Sequence, residues 1–140
     1  MVYITGRGRF ASAHKLENRK LSKTNNTEIF GPCYNIHGHN YELFITIKGE
    51  VIQKTGFVAN LKDLDKLIKS LIISKLDHQI INEVNFMKDK IASTENLCIA
   101  IWDELYEPIK KKLKCELFSV KILETENNIF EYFGNYNEKS

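Results

Sequence analysis

Four histidines occur in a chain of 140 residues, and two of them, His37 and His39, stand one residue apart in "CYNIHGHNYEL". On a strand, positions two apart point to the same face. The two imidazoles then project side by side, with Gly38 adding no side chain between them. Two imidazoles on one face and a third from elsewhere make a His₃ zinc site with one position open to water or substrate. The remaining histidines are His14 and His78. His14 ends a β-forming stretch that can lie beside the His37 strand, which makes it the natural third ligand. An H-x-H pair also arises by chance in about one random sequence in ten at this histidine content, so His14 matters to the reading.

Cys33 follows Gly31–Pro32 in a connection leading to the His37 strand. It reads as a nearby thiol whose reactive form, the thiolate, is favoured by a cation or metal. It reads equally as a fourth zinc ligand or a small buried apolar residue. Asp77 directly precedes His78 in "LDHQ". A carboxylate beside an imidazole suits proton transfer, although adjacent side chains seldom face each other, and a local cap or turn explains the pair as well. Glu124 ends the row Phe118, Val120, Ile122 on a predicted strand. A carboxylate continuing an apolar face must be paired, exposed at a strand end, or used for binding. Its two oxygens suit a guanidine-like N–H pair. Cys98 and Cys115 read as inert packing residues.

The elements that must position these groups follow from periodicity. "MVYITGRGRFASAH" reads as a first strand broken by Gly6 and Gly8, and residues 15–32 as a polar loop. From His37 to Lys48 apolar and polar residues alternate, and "GEVIQKTG" is turn-like. Asn60 is an N-cap candidate with Asp63 in the first turn. Leu61, Leu64, Leu67, Ile68, Leu71 and Ile72 then follow helical spacing, to end before "LDHQ". A second helix starts at Ser93 or Thr94, carries Leu97, Ile101 and Leu105, and reaches Tyr106 or just past Pro108. The C-terminal part reads as two strands about a turn at Asn127–Asn128. Strand, strand, helix, helix, strand, strand predicts an α+β fold with the helices on one face of an antiparallel sheet.

Composition narrows the function classes. The length suits one domain, residues 1–140. The net charge of +2, from 20 basic and 18 acidic residues, argues for neither nucleic acid nor an anionic membrane. The run Lys110, Lys111, Lys112, Lys114 reads as solvated lysines at a helix C-terminus. Three cysteines, far apart and odd in number, are no disulfide framework. No apolar run approaches a membrane span, and "MVYITGRGRF" has no signal-peptide core. A reducing cytoplasm fits.

The segments "FASAHKL", "CYNIHGHNYELFITIKGE", "TGFVANLKDL", "KLDHQIIN", "STENLCIAIW" and "ILETENN", in this order, resemble the 6-pyruvoyltetrahydropterin synthase / 6-carboxytetrahydropterin synthase family from Phe10 to Gly134. The resemblance implies the tunnelling fold, or T-fold: a four-stranded antiparallel sheet with two helices on one face. Three such sheets join into a barrel, and two trimers stack into a homohexamer with active sites between subunits. It further implies that His14, His37 and His39 bind Zn²⁺, and that Cys33 is the catalytic proton acceptor and donor. On the same resemblance, Asp77 and His78 are expected to be its relay, supplied across a subunit interface. The resemblance likewise implies that Glu124 anchors the pterin's amino-pyrimidine edge and that Thr94 and Glu95 line the pterin pocket. The implied substrate is 7,8-dihydroneopterin triphosphate, converted with loss of triphosphate and no external redox cofactor.

Within that family, the Cys33–His37 spacing resembles the bacterial 6-carboxytetrahydropterin synthases of 7-deazaguanine (queuosine) biosynthesis. Animal-type pyruvoyl enzymes carry two more residues there. "STEN" and "ETENN" resemble the 6-pyruvoyl branch of tetrahydrobiopterin synthesis, which is the alternative. A third branch has glutamate where this chain has Cys33. The expectation is therefore the carboxy product. A reading of another class is a non-catalytic, zinc-stabilised pterin-binding protein.

Overall fold

The computed structural model describes residues 1–134; residues 135–140 of the expected domain lie outside the described residues. β1 (Val2–His14) and β2 (His37–Gly49) pair antiparallel from Val2 opposite Gly49 to His14 opposite His37. β2 pairs with β3 (Glu116–Thr125), and β3 with β4 (Asn128–Tyr132), both antiparallel. The strand order is β1-β2-β3-β4, so β1 and β4 are the sheet's edges.

Alternation selects one face for the core. On β2, Tyr41, Leu43, Ile45 and Ile47 are fully buried, while Asn40 is exposed and Glu42, Phe44 and Thr46 are half-buried. Against this face pack α2 (Leu61–Ile68) and α3 (Thr94–Pro108). Leu64, Leu67 and Ile68 come from the first, Ile72 from the turn that continues it, and Leu97, Ile101 and Leu105 from the second. Burying each such side chain stabilises by about 1.5–3 kcal/mol.

The helix boundaries have local causes. The Asn60 side chain accepts the Lys62 N–H at 2.9 Å and starts α2. After Ile68 the chain continues through a π-helical turn, Lys69–Ile73, and one more turn, Ser74–Leu76. Ser93 caps α3 by accepting the Asn96 N–H at 3.2 Å. Pro108 has no N–H to give, and beyond it the ladder widens into a π-helical turn, Ile109–Leu113. The exposed Lys110, Lys111 and Lys112 sit in that last turn.

Four expectations need correction. β1 is not broken at its glycines. A Cβ on Gly6 would lie 3.0 Å from Ile68 Cδ1, and one on Gly8 3.0 Å from Ile73 Cδ1. The glycines let the α2 segment approach the strand closely. Residues 15–32 are not all loop. Ser22 accepts the Asn25 N–H and starts α1 (Lys23–Phe30). The buried Asn26 ties this helix back, donating to the Asn18 and Ser22 carbonyls and accepting the Asn18 N–H. Helix α1 lacks an apolar stripe, so periodicity could not reveal it. Leu61 is 56 % exposed and lies off the buried stripe of α2. Finally, Phe118 does not share a face with Val120 and Ile122. The register shifts between Thr46 and Ile47, whose partners are Ser119 and Leu117. Phe118 is the extra residue of a bulge. It packs edge-on against Tyr3 while Leu117 is buried in the core.

Candidate metal and active site

The antiparallel register of β1 and β2 sets His14 opposite His37 and Ser12 opposite His39. All four side chains point to the helix side of the sheet. The three imidazoles meet there, with ring centroids 4.5 to 5.2 Å apart. One ligand nitrogen from each lies within 4.8 Å of the others. Two backbone carbonyls orient the rings. His14 Nδ1 is 2.8 Å from the Ala92 oxygen, and His37 Nδ1 is 2.8 Å from the Asn35 oxygen. Both nitrogens must carry the proton, which frees each Nε2 lone pair; such outer contacts commonly orient metal-binding histidines.

Two further observations fit a metal. His14 Nε2 and His39 Nε2 are buried without a hydrogen-bond partner, a costly state unless something else takes the lone pair. Burial also holds both imidazoles below the ordinary histidine range. For His14 the Ala92 bond opposes this while His37 and His39 add to it; for His39 the Glu124 carboxylate opposes it. Neutral imidazole is the ligating form.

Glu124 reaches the same place through a second bulge. Leu123 pairs with Ile129 and Thr125 with Asn128, leaving Glu124 as the extra residue of β3. Its Oε1 lies 3.9 Å from His39 Nε2, and its Oε2 accepts the Thr94 hydroxyl. Only 18 % of its side chain is exposed. A bulge bordering a site commonly re-aims a side chain. Thr94 is buried at the start of α3, and Glu95, in the first turn, is exposed.

Asp77 and His78 lie along the outer edge of β1. The Ala11 N–H donates to Asp77 Oδ1 at 2.9 Å, the His78 N–H to the Ala11 oxygen, and the Ala13 N–H to the Gln79 oxygen. The Ala11 N–H, with His78 second, holds the Asp77 carboxyl below its ordinary range. Adjacent side chains seldom face each other, but here the local backbone brings the two together. His78 takes a left-handed backbone conformation, φ 59°, and its Nδ1 lies 3.0 Å from Asp77 Oδ2. The His78 side chain is 82 % exposed.

Cys33 is an exposed free thiol on a 3₁₀ turn, Gly31–Tyr34. Its carbonyl accepts the Leu16 N–H, which ties the turn to the chain just past His14. Neither Cys33 nor His78 belongs to the three-histidine group. The structure thus assembles His14, His37, His39, Glu124 and Thr94 within one chain, and leaves Cys33, Glu95 and the Asp77–His78 pair outside that cluster.

The geometry is that of three imidazole nitrogens close enough to share one metal ion, with a carboxylate beside them. The family model described as 6-pyruvoyl tetrahydropterin synthase matches residues 3–135. The chain belongs to this family. It is a pterin synthase. A Dictyostelium discoideum protein named 6-pyruvoyl tetrahydrobiopterin synthase is 44 % identical over 134 residues, covering 95 % of this chain and 96 % of that one. The solved Caenorhabditis elegans 6-pyruvoyl tetrahydropterin synthase superposes with a TM-score of 0.85 at 34 % identity, covering 96 % of both chains. The T-fold of the subunit is therefore established.

These relatives overturn the expected carboxy product. An Archaeoglobus fulgidus protein named putative 6-carboxy-5,6,7,8-tetrahydropterin synthase is 30 % identical over only 98 residues. The expectation rested on the length of one connection, from the 3₁₀ turn of Cys33 to His37. Connections absorb insertions and deletions with little cost to the fold, so their length is a poor guide to chemistry.

Sequence reasoning missed Tyr41 as a member of this site. It continues the His37, His39 row, stacks on Phe10 with centroids 4.8 Å apart, and sets its ring 5.5 Å from that of His39. Burial, then the Glu124 carboxylate, pushes its phenol well above the ordinary range. Period-two spacing put Tyr41 on the histidine face, but an aromatic there reads as core.

Proposed function

We propose that this protein is a zinc-dependent 6-pyruvoyltetrahydropterin synthase, acting on 7,8-dihydroneopterin triphosphate with loss of triphosphate. The convergence of three imidazoles, two with buried, unpartnered Nε2 atoms, beside the Thr94-bound Glu124 carboxylate carries this reading. His14, His37 and His39 hold the metal, and their donor set suits zinc. When bound, zinc supplies a Lewis acid that polarises the substrate's side-chain oxygens.

The chain's own groups do the rest. Glu124 accepts the N–H pair of the pterin's amino-pyrimidine edge, and Thr94 and Glu95 border that ring. Cys33 takes a proton from the substrate side chain and returns one at a neighbouring carbon. His78 exchanges that proton with Cys33, its imidazole oriented by Asp77. The relay reaches Cys33 from another subunit; in support of this, His78 is exposed at a sheet edge and, among the described residues, its side chain pairs with Asp77. Edges β1 and β4 join copies into a barrel, and trimers stack into a cytoplasmic homohexamer. Triphosphate leaves as the side chain rearranges to the two-carbonyl pyruvoyl group. The ring gains the electrons the side chain loses, so no external oxidant is needed.

The test incubates zinc-loaded protein with 7,8-dihydroneopterin triphosphate and identifies the pterin by mass spectrometry. A pyruvoyltetrahydropterin with one triphosphate per turnover is expected. A folded, zinc-loaded oligomer that releases no triphosphate would end this reading.

A further inference from the structure

Among the described residues, three buried side-chain atoms near the site lack a hydrogen-bond partner: His14 Nε2, His39 Nε2 and the Tyr41 hydroxyl. A metal accounts for the first two and leaves the third. Tyr41 is 1 % exposed, and an unpaired buried hydroxyl is costly.

Its surroundings say where the proton points. Glu42 pairs with Leu123 across β2 and β3. Tyr41 is the neighbour of Glu42 in the chain, and the Glu124 carboxylate acts on its phenol. Thr94 is a further polar neighbour of the phenol, beside the His39 ring at 5.5 Å. Thr94 has a single hydroxyl proton, and it goes to Glu124 Oε2. The oxygen of Thr94 can therefore only accept from Tyr41, whose hydroxyl has one proton to donate.

We infer that Tyr41 is a positioning residue: its hydroxyl donates to Thr94, Thr94 donates to Glu124, and the chain holds the carboxylate at the angle that receives the pterin's N–H pair. The Tyr41 hydroxyl makes no hydrogen bond in this structure; the inferred bond is made when a ligand occupies Glu124. Chains of hydroxyls ending on a carboxylate polarise one another and strengthen together. This inference rests on the pterin reading of the site.

The test uses the intact, metal-loaded protein and neopterin, a fluorescent pterin that carries no triphosphate and cannot turn over. Tyr41→Phe keeps the stack on Phe10 and removes only the hydroxyl. It should weaken neopterin binding about 3- to 10-fold. KM for the triphosphate substrate should rise by the same factor, with kcat and metal content unchanged. On a Glu124→Gln background the same substitution should add less than about twofold, because the chain then has no carboxylate to hold. An equal effect in both backgrounds, or a loss confined to kcat, overturns the inference. Failure of the wild-type protein to bind neopterin overturns the pterin reading, and this inference with it. A readout independent of the variant is the tyrosine ultraviolet difference spectrum between wild type and Glu124→Gln. A shifted tyrosine band is expected, and coincident spectra overturn the chain.

Discussion

Replacing Glu124 by glutamine tests the anchor at the least structural cost. The side chain keeps its shape, and the Thr94 hydroxyl can still donate to the amide oxygen. A carboxylate offers about four lone-pair positions on two oxygens. Thr94 takes one at Oε2, and Oε1 faces His39 at 3.9 Å without a hydrogen bond. The ligand's two N–H groups therefore have acceptors on both oxygens. Glutamine turns one of those oxygens into an NH₂ donor, which meets an N–H head-on. One charge-assisted contact is lost, worth about 1.5–3 kcal/mol, so kcat/KM should fall about 10- to 150-fold. The contact exists equally in the bound substrate and in the transition state, because the pterin edge does not react. The loss should therefore lie in KM, with kcat nearly unchanged. The assay follows triphosphate release against substrate concentration, with circular dichroism and metal content as controls. A kcat that falls while KM stays constant would refute the anchor role and move Glu124 into the proton chemistry.

Other perturbations separate the remaining roles. Cys33→Ala should lower kcat by about 10²- to 10⁴-fold while metal analysis still finds the ion bound, because Cys33 lies outside the histidine group; loss of metal would make it a ligand instead. The metal-free protein should lose stability as pH falls through the ordinary histidine value of 6.5. The unfolded chain takes up protons there that the buried His14 and the half-buried His39 refuse, so stability is complete above that pH and declines below it. A melting temperature that is flat from about pH 8 to about pH 5 would contradict this. Gly8→Val places a Cβ 3.0 Å from Ile73 Cδ1 and should cost about 1–3 kcal/mol in urea unfolding. A neutral result would mean that the α2 segment shifts freely on β1.

Much of the architecture was legible because it is written in local periodicity. Alternation from His37 to Lys48 marked β2 and its buried face, and Asn60 and Ser93 marked helix starts through their capping chemistry. Where one residue breaks the period, the pattern misleads. The bulge at Phe118 exchanged it with Leu117 on the core face, and nothing in "ELFSV" announces an extra residue. Helix α1 was hidden for a different reason, since its tie is the polar Asn26 rather than an apolar stripe.

The residues of the candidate site divide in the same way. The spacing of His37 and His39 alone determined that two imidazoles share a face, because strand geometry has period two. The order of the motifs determined the family. Only the tertiary structure decided that His14 lies directly across from His37, that the carbonyls of Ala92 and Asn35 select the tautomers, and that a bulge aims Glu124 at His39. Only it turned Tyr41 from a core aromatic into a neighbour of Thr94 and Glu124. Those facts depend on register and on backbone carbonyls. Register is a pairing between segments far apart in the chain, and every residue type carries a carbonyl, so neither leaves a mark on the sequence.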